Sequence, residues 1–99
     1  MSIESVIRIE KSHPALPGHF PGDPLIPGVV ILDHVERTLA AALGEGGIVG
    51  LTAIKFVNPL RPGQALTIRA EPVRPGRYRF ACSSGERTVA EGQLVWGAA

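Results

Sequence analysis

The sequence is poor in cysteine and in aromatic residues. Cys82 is the one cysteine among 99 residues, and aromatic side chains make up 5% of the chain. A disulfide framework and a cysteine-based metal site each need more thiols than this, so both are excluded. Cys82 lies in the segment YRFACSS, which predicts a strand that carries a buried, inert thiol.

The chain also has little net charge and no long apolar run. The formal net charge is +1 at pH 7, which favours neither nucleic acid nor a membrane surface as a partner. No apolar run approaches the roughly 20 residues of a membrane span, and the N-terminus shows no charged-plus-apolar signal. We therefore expect a cytoplasmic protein. Its hydrophobic fraction of 44% is too high for a disordered chain.

The length bounds the number of domains and bears on the state of assembly. A chain of 99 residues has room for one hydrophobic core, so we expect one domain over 1–99. A lone domain of this size buries only about 60–65% of the surface of its unfolded chain. A second copy would bury more, so we expect a homodimer or a higher homo-oligomer.

One region departs from the even balance of charge. Residues 61–87 hold six Arg and two Glu, a local balance of +4. This bias has two interpretations, a solvated face of a sheet or a landing surface for an acidic protein partner.

Proline and glycine are concentrated in one segment. Residues 14–28 contain five Pro and three Gly, a density that predicts an ordered loop rather than a helix or a central strand. The apolar run VVIL that follows would pass for a buried strand because β-branched residues favour sheets. The pattern continues without a break through DHVERTLAAALG to Gly44, and this length predicts a helix. The helix is apolar on nearly every side up to Glu36, so we expect protein to surround it.

The remaining segments predict strands. They are residues 3–10, 46–60, 64–73, 78–84 and 88–96. The fold class is therefore α+β, and short connections after the helix indicate a meander-like antiparallel sheet. A sheet that curls around one central apolar helix buries both elements economically, and this architecture is the hot-dog fold.

Three residues around the start of the helix could perform acid–base chemistry together. His19 can take a proton near neutral pH, and Gly28 can present a backbone N–H at a helix N-terminus to a thioester carbonyl. Asp33 lies within the apolar run, where a carboxylate is costly to bury unless something compensates it. These parts add up to dehydration of a 3-hydroxyacyl thioester, with Asp33 delivering a proton to the leaving hydroxyl. Taken singly, the histidine could be a hydrogen-bonded loop residue and the aspartate a structurally paired one.

Two motifs in this sequence resemble a known family. The segment GHFPGDPLIPGVVILD is similar to the signature of the 3-hydroxyacyl-acyl-carrier-protein dehydratases, which have a hot-dog fold. The matched positions are His19, Phe20, Pro21, Gly22, Pro24, Pro27, Gly28 and Asp33. A second segment, IKFVNPLRPGQALTI, matches at Lys55, Phe56, Pro59, Pro62 and Gly63. The chain resembles short dehydratase-like forms from aryl-polyene and related lipid pathways.

The resemblance implies a site and its partners. It makes His19 the catalytic base and Asp33 the acid, with Gly28 N–H on the thioester carbonyl. It implies that Phe20, Pro27 and Val29 contact the substrate. The family builds each site from opposite subunits, which implies a dimer with the acyl chain in a tunnel at the interface. The acyl group would arrive on acyl carrier protein or on CoA, and no metal or other cofactor is implied.

The sequence departs from the family pattern near Asp33. The ordinary dehydratase branch has Glu at this position, and Arg37 stands where the family has Gln. Two alternatives therefore stay open. One is a hot-dog thioesterase, and the other is a non-catalytic acyl-binding subunit with the same fold.

Overall fold

The computed structural model describes residues 2–10 and 25–98. Along these ranges one helix and five strands occur in the predicted order. Their bounds are β1 (Ile3–Arg8), α1 (Gly28–Leu43), β2 (Gly47–Phe56), β3 (Ala65–Arg74), β4 (Arg77–Ser84) and β5 (Arg87–Gly97). The predicted helix and all five predicted strands are confirmed. No helix in the described ranges is both long and apolar enough to cross a membrane.

The five strands form one antiparallel sheet in the order β1-β3-β4-β5-β2. The expected meander is therefore only partly right. Strands β3, β4 and β5 are consecutive neighbours, but β2 pairs with β5 at one edge of the sheet instead of with β3. Residues 57–64 thus carry the chain across the sheet rather than through a tight hairpin.

Strand β2 ends at Phe56, earlier than the predicted boundary at residue 60. The amide N–H groups of Val57 and Asn58 both turn to one acceptor, the carbonyl oxygen of Val89, at 2.8 and 3.4 Å. Pro59 has no N–H and cannot continue a ladder of hydrogen bonds. The strand therefore stops where this connection begins.

The core lies between α1 and the inner face of the sheet. Helix α1 packs against β1, β2 and β3. Its buried side chains are Val30, Ile31, Val35, Thr38 and Leu39. The buried side chains of the central strands that join them in the core are Leu66, Ile68, Ala70, Phe80, Cys82, Val89, Ala90 and Leu94. Burial raises the pKa of the Cys82 thiol to about 12, which confirms the expectation of a buried thiol in a strand.

One face of α1 is left open by the described residues of a single chain, so the sheet alone does not surround the helix as expected. Val29 is 71% exposed, and Asp33, one turn further along, is also exposed. Residues four apart lie on the same side of a helix. Within one chain the sheet therefore covers the opposite side only, and this face is left to whatever binds there.

The two ends of α1 are fixed by backbone conformation rather than by side chains. Pro27 precedes the helix in an extended conformation, and no side chain caps the first turn. Gly44 ends the helix at a φ of 90°, a conformation that favours glycine, and its N–H donates to the carbonyl oxygen of Ala40 at 2.9 Å.

Candidate active site

The predicted site residues fall into two groups. Pro27, Gly28, Val29 and Asp33 lie in or next to the first two turns of α1. His19 and Phe20 lie outside the described residues, so their predicted roles stay predictions. The described part of the site consists of the start of α1 and the segments that contact it.

The entry to α1 is held against the connection that follows β2. Ile26 donates its backbone N–H to the carbonyl oxygen of Leu60 at 2.8 Å, and Pro27 O accepts from the N–H of Val30 at 3.0 Å. These bonds fix the position of Gly28 beside the end of β2. An apolar cleft of about 400 Å³ lies here, between residues 25–31 and residues 56–60.

Gly28 and Phe56 are in close contact at this cleft. A Cβ atom added to Gly28 would lie 2.6 Å from Cζ of the Phe56 ring, so only glycine allows the ring to sit where it does. The backbone N–H groups of Gly28 and Val29 donate to no acceptor among residues 2–10 and 25–98. No acidic residue occupies the first turn of the helix. The positive end of α1 therefore remains available to a developing negative charge.

Asp33 is exposed rather than buried. Its side chain is 48% exposed, and its Oδ2 atom lies 3.0 Å from Nε of Arg37. The sequence led us to expect a carboxylate enclosed by apolar residues, and that expectation is wrong for a single chain. The apolar neighbours Val30 and Ile31 point into the core, whereas Asp33 shares the uncovered face with Val29.

A second, smaller cleft lies beside Asp33. Its volume is about 240 Å³, and its lining residues come from the uncovered face of α1 and from β2: Val29, Leu32, Asp33, Glu36, Ile48 and Leu51. Glu36 ties the two elements together, because its Oε2 atom accepts the backbone N–H of Ile48 at 2.8 Å. Gly28 and Asp33, five positions apart on α1, thus line different clefts of one chain.

Two residues at these clefts received no functional role from the sequence. Phe56 belongs to the second family-like motif, and its place in that motif could have indicated a role at the site. Nothing in the sequence indicated a role for Glu36, because its partner is the backbone N–H of Ile48, which only the folded chain brings within reach.

The comparisons with known proteins agree with this architecture. The sequence model of the ApeI-like family, described as ApeI dehydratase, matches residues 1–93. The 3-hydroxyacyl-acyl-carrier-protein dehydratase FabZ of Chlamydia trachomatis serovar L2 is 33% identical over an alignment of 107 residues. The alignment covers 94% of this chain and 70% of that protein. The FabZ of a Wolbachia from Drosophila simulans is 34% identical over 105 residues, covering 94% of this chain and 73% of that protein.

Solved structures show the same fold. The dehydratase heterocomplex ApeI:P from Xenorhabdus doucetiae aligns with a TM-score of 0.82 at 23% identity, covering 96% of this chain and 86% of that one. The fluoroacetyl-CoA-specific thioesterase FlK, in a mutant form, aligns with a TM-score of 0.78 at 13% identity, covering 100% of this chain and 85% of that one. The predicted hot-dog fold is confirmed. These two likenesses concern the fold alone.

Fold and sequence together define a hot-dog dehydratase. The chain belongs to the ApeI-like dehydratase family, and the predicted resemblance to the 3-hydroxyacyl-acyl-carrier-protein dehydratases is confirmed.

Proposed function

We propose that this dehydratase converts a 3-hydroxyacyl thioester into the trans-2-enoyl thioester. The observation that carries the proposal is the uncapped N-terminus of α1 at Gly28, which opens beside an apolar cleft of about 400 Å³. An apolar cleft suits an acyl chain, and a helix N-terminus suits a carbonyl oxygen that gains negative charge. The FabZ relatives, at 33–34% identity, bear the name of this activity.

The proposed reaction uses the protein's own acid, base and backbone donor. His19 takes the proton from C2 of the substrate, and the electron pair forms the C2–C3 double bond as the C3–O bond breaks. Gly28 N–H stabilises the enolate-like charge on the thioester oxygen. Asp33 gives its proton to the departing hydroxyl, which leaves as water. Pro27 and Phe20 contact the substrate in this proposal.

We further propose that the complete site needs two copies of the chain. Gly28 and Asp33 line separate clefts in one chain, and the face that carries Asp33 is uncovered. On that face Val29 and Leu51 are 71% and 42% exposed. A second copy seated there would bury these side chains, and in this proposal it also supplies its own His19. The proposed unit is a homodimer of the single domain 1–99.

The proposed carrier of the acyl group is acyl carrier protein, with CoA as the alternative. The arginines of 61–87 do not form one surface. Arg69 and Arg79 lie exposed on the outer face of the sheet, and Arg69 pairs with Glu4 at 3.6 Å. Arg87, in contrast, donates to Oδ1 of Asn58 at 2.9 Å, and Asn58 lines the cleft beside Gly28. We place the docking of an acidic carrier at Arg87, and we keep a cytoplasmic location as part of the proposal.

The test is an assay of enoyl absorbance with 2-enoyl and 3-hydroxyacyl thioesters of several chain lengths, on acyl carrier protein and on CoA. We expect interconversion by the wild-type protein. His19→Ala and Asp33→Asn should each lower the rate by about 10²-fold or more, because each removes a proton-transfer group. Both variants should keep the oligomeric state of the wild type, measured by light scattering.

Other outcomes would contradict the proposal in different ways. Release of free thiol without a change in enoyl absorbance would make the protein a thioesterase. Binding of acyl carrier protein without any turnover would make it a non-catalytic subunit. Full activity of His19→Ala would overturn the role of His19 alone.

A further inference from the structure

Arg37 contacts the proposed acid directly. Its Nε atom lies 3.0 Å from Oδ2 of Asp33, and the two residues are four apart on α1, with the acidic one nearer the N-terminus. The two side chains are 71% and 48% exposed, respectively. An ion pair with this exposure adds little to folding stability, so stability does not account for it.

The surroundings of Asp33 make Arg37 its one cationic contact within the described residues. The cleft beside Asp33 presents Ile48 and Leu51 from β2, both apolar. The other charged residue in the cleft is Glu36, whose Oε2 atom is already engaged by the N–H of Ile48. Nothing else in the described parts of this cleft can hold the Asp33 carboxylate in one orientation.

The geometry leaves one oxygen of the carboxylate unused. Arg37 engages Oδ2, and no described residue hydrogen-bonds to Oδ1 of Asp33. A planar guanidinium holds a carboxylate more strictly than a freely rotating amide or ammonium group does. Catalytic groups need such support, because a misplacement of about 1 Å can cost about 10²-fold in rate.

We propose that Arg37 is a positioning residue, which turns Asp33 so that Oδ1 faces the substrate hydroxyl or the water next to it. The proposal rests on the proposed function of Asp33 as the acid. An aspartate has one rotatable bond fewer than a glutamate, so its χ1 rotamer alone decides where the carboxylate lies. The contact of Arg37 with Oδ2 supplies that rotamer in the acid form too, because Oδ2 can accept from Nε while Oδ1 carries the proton that Asp33 delivers.

The test compares Arg37→Gln and Arg37→Lys with a matched control, Arg69→Gln. Arg69 also pairs through Nε with a carboxylate, Oε1 of Glu4 at 3.6 Å, with exposures of 65% and 49%. We expect Arg37→Gln to lower kcat about tenfold with KM unchanged within about twofold. Arg37→Lys keeps the charge without the planar fork, so it should recover only part of kcat, and Arg69→Gln should match the wild type.

A second measurement does not depend on activity. The NMR couplings between Hα and the two Hβ atoms of Asp33 report its χ1 rotamer. We expect one large and one small coupling in the wild-type protein and two averaged couplings in Arg37→Gln. Averaged couplings in the wild type would overturn the positioning role whatever the activity.

The kinetic outcomes separate the remaining explanations. A higher KM with unchanged kcat in Arg37→Gln would assign Arg37 to substrate binding, and no change in either would leave it a surface ion pair. Both results overturn the proposal. A wild-type protein inactive on every thioester would overturn the proposed function, while the couplings would still decide whether Arg37 orients Asp33.

Discussion

The lack of a side chain at Gly28 allows the ring of Phe56 to lie directly against the start of α1. Phe56 places Cζ 2.6 Å and Cε1 2.8 Å from the point where a Cβ atom would be. The ring is 53% exposed, so it is free to move if something displaces it. The ring also lines the cleft proposed for the acyl chain, so a displaced ring changes the shape of that cleft. Gly28 therefore sets the position of the ring at the mouth of the site.

We expect Gly28→Ala to fold normally and to lose activity. The new methyl group displaces an exposed ring rather than backbone, so Tm should change by no more than about 4–8 °C, the shift that accompanies about 1 kcal/mol in a domain of this size. The displaced ring should lower kcat/KM about tenfold or more, measured with the enoyl assay.

Gly50→Ala is the matched control for that variant. A Cβ atom at Gly50 would lie 3.6 Å from Cγ2 of Val95, an ordinary contact. This variant should keep full activity. Equal losses in both variants would show that the effect does not arise from the ring of Phe56.

Sequence reasoning identified Asp33 but misjudged its environment. The neighbours of Asp33 along the chain are apolar, and this alone suggested a buried carboxylate. A helix distributes neighbours around its axis, and the sheet covers only the side of Val30, Ile31 and Val35. Which face stays open depends on where the helix lies on the sheet, and the local sequence does not contain that information.

At the scale of elements, one side chain joins the helix to the edge strand. Glu36 on α1 accepts the N–H of Ile48 near the start of β2, at 2.8 Å. Strand β2 is otherwise irregular, with shifts of register after Ile48 and after Thr52 and a φ of 53° at Ala53. The carboxylate of Glu36 thus holds the part of β2 that borders the cleft of Asp33.

We expect Glu36→Ala to destabilise the protein by about 1–2 kcal/mol, because it leaves a partly buried N–H without its acceptor. Glu36→Gln keeps an acceptor oxygen and should cost less. Urea unfolding followed by circular dichroism measures both. Glu86→Ala, in the exposed turn between β4 and β5, is the control and should change the free energy of unfolding by under about 0.5 kcal/mol. A cost in Glu86→Ala equal to that in Glu36→Ala would contradict the role of Glu36.

The elements themselves were largely predictable. The uninterrupted pattern up to Gly44 distinguished the helix from a strand, and alternation with turn residues located the five strands. The end of β2 was not predictable from its apolar pattern, because the sequence stays apolar through Val57. It is set by Pro59 and by the shared acceptor at Val89, which belongs to a strand thirty residues further along.

For the whole molecule, the exposed large apolar side chains of residues 2–10 and 25–98 are concentrated around β2 and the open face of α1. The exposed large apolar side chains in this region are Val29, Val49, Leu51, Phe56 and Val57. A contiguous apolar surface on a small protein usually marks a contact with another molecule. This distribution supports the proposed dimer through the same face that carries Asp33.

We expect Leu51→Glu to give a monomer with little dehydratase activity. A charge in the proposed interface opposes burial, while the exposed position allows the chain to fold. Light scattering measures the mass, and the enoyl assay should fall by about tenfold or more if the site needs two copies.

The control is Val73→Glu on β3. Val73 is 44% exposed and Leu51 is 42% exposed, so the two changes are similar in kind. The Val73 variant should remain dimeric and active. A Leu51→Glu protein that is monomeric yet fully active would contradict the two-copy site.

The order of the strands was the least predictable part of the fold. The segment after β2 contains the turn residues Pro62 and Gly63, which suggested a hairpin to β3. In the structure Leu60 is buried and Gly63 donates its N–H to Ile9 O, so the segment runs over the core towards β1. Pairing of β2 with β5 depends on contacts distant in sequence, which local patterns do not specify.

The one tryptophan of the chain lies where α1 leads into β2. Trp96 donates its indole N–H to the carbonyl oxygen of Glu45 at 3.0 Å, and its ring lies against Gly46, between the end of α1 and the start of β2. Both elements border the proposed interface. The protein thus has an intrinsic fluorophore at the joint between them, and formation of the proposed dimer should change the emission of the unlabelled protein.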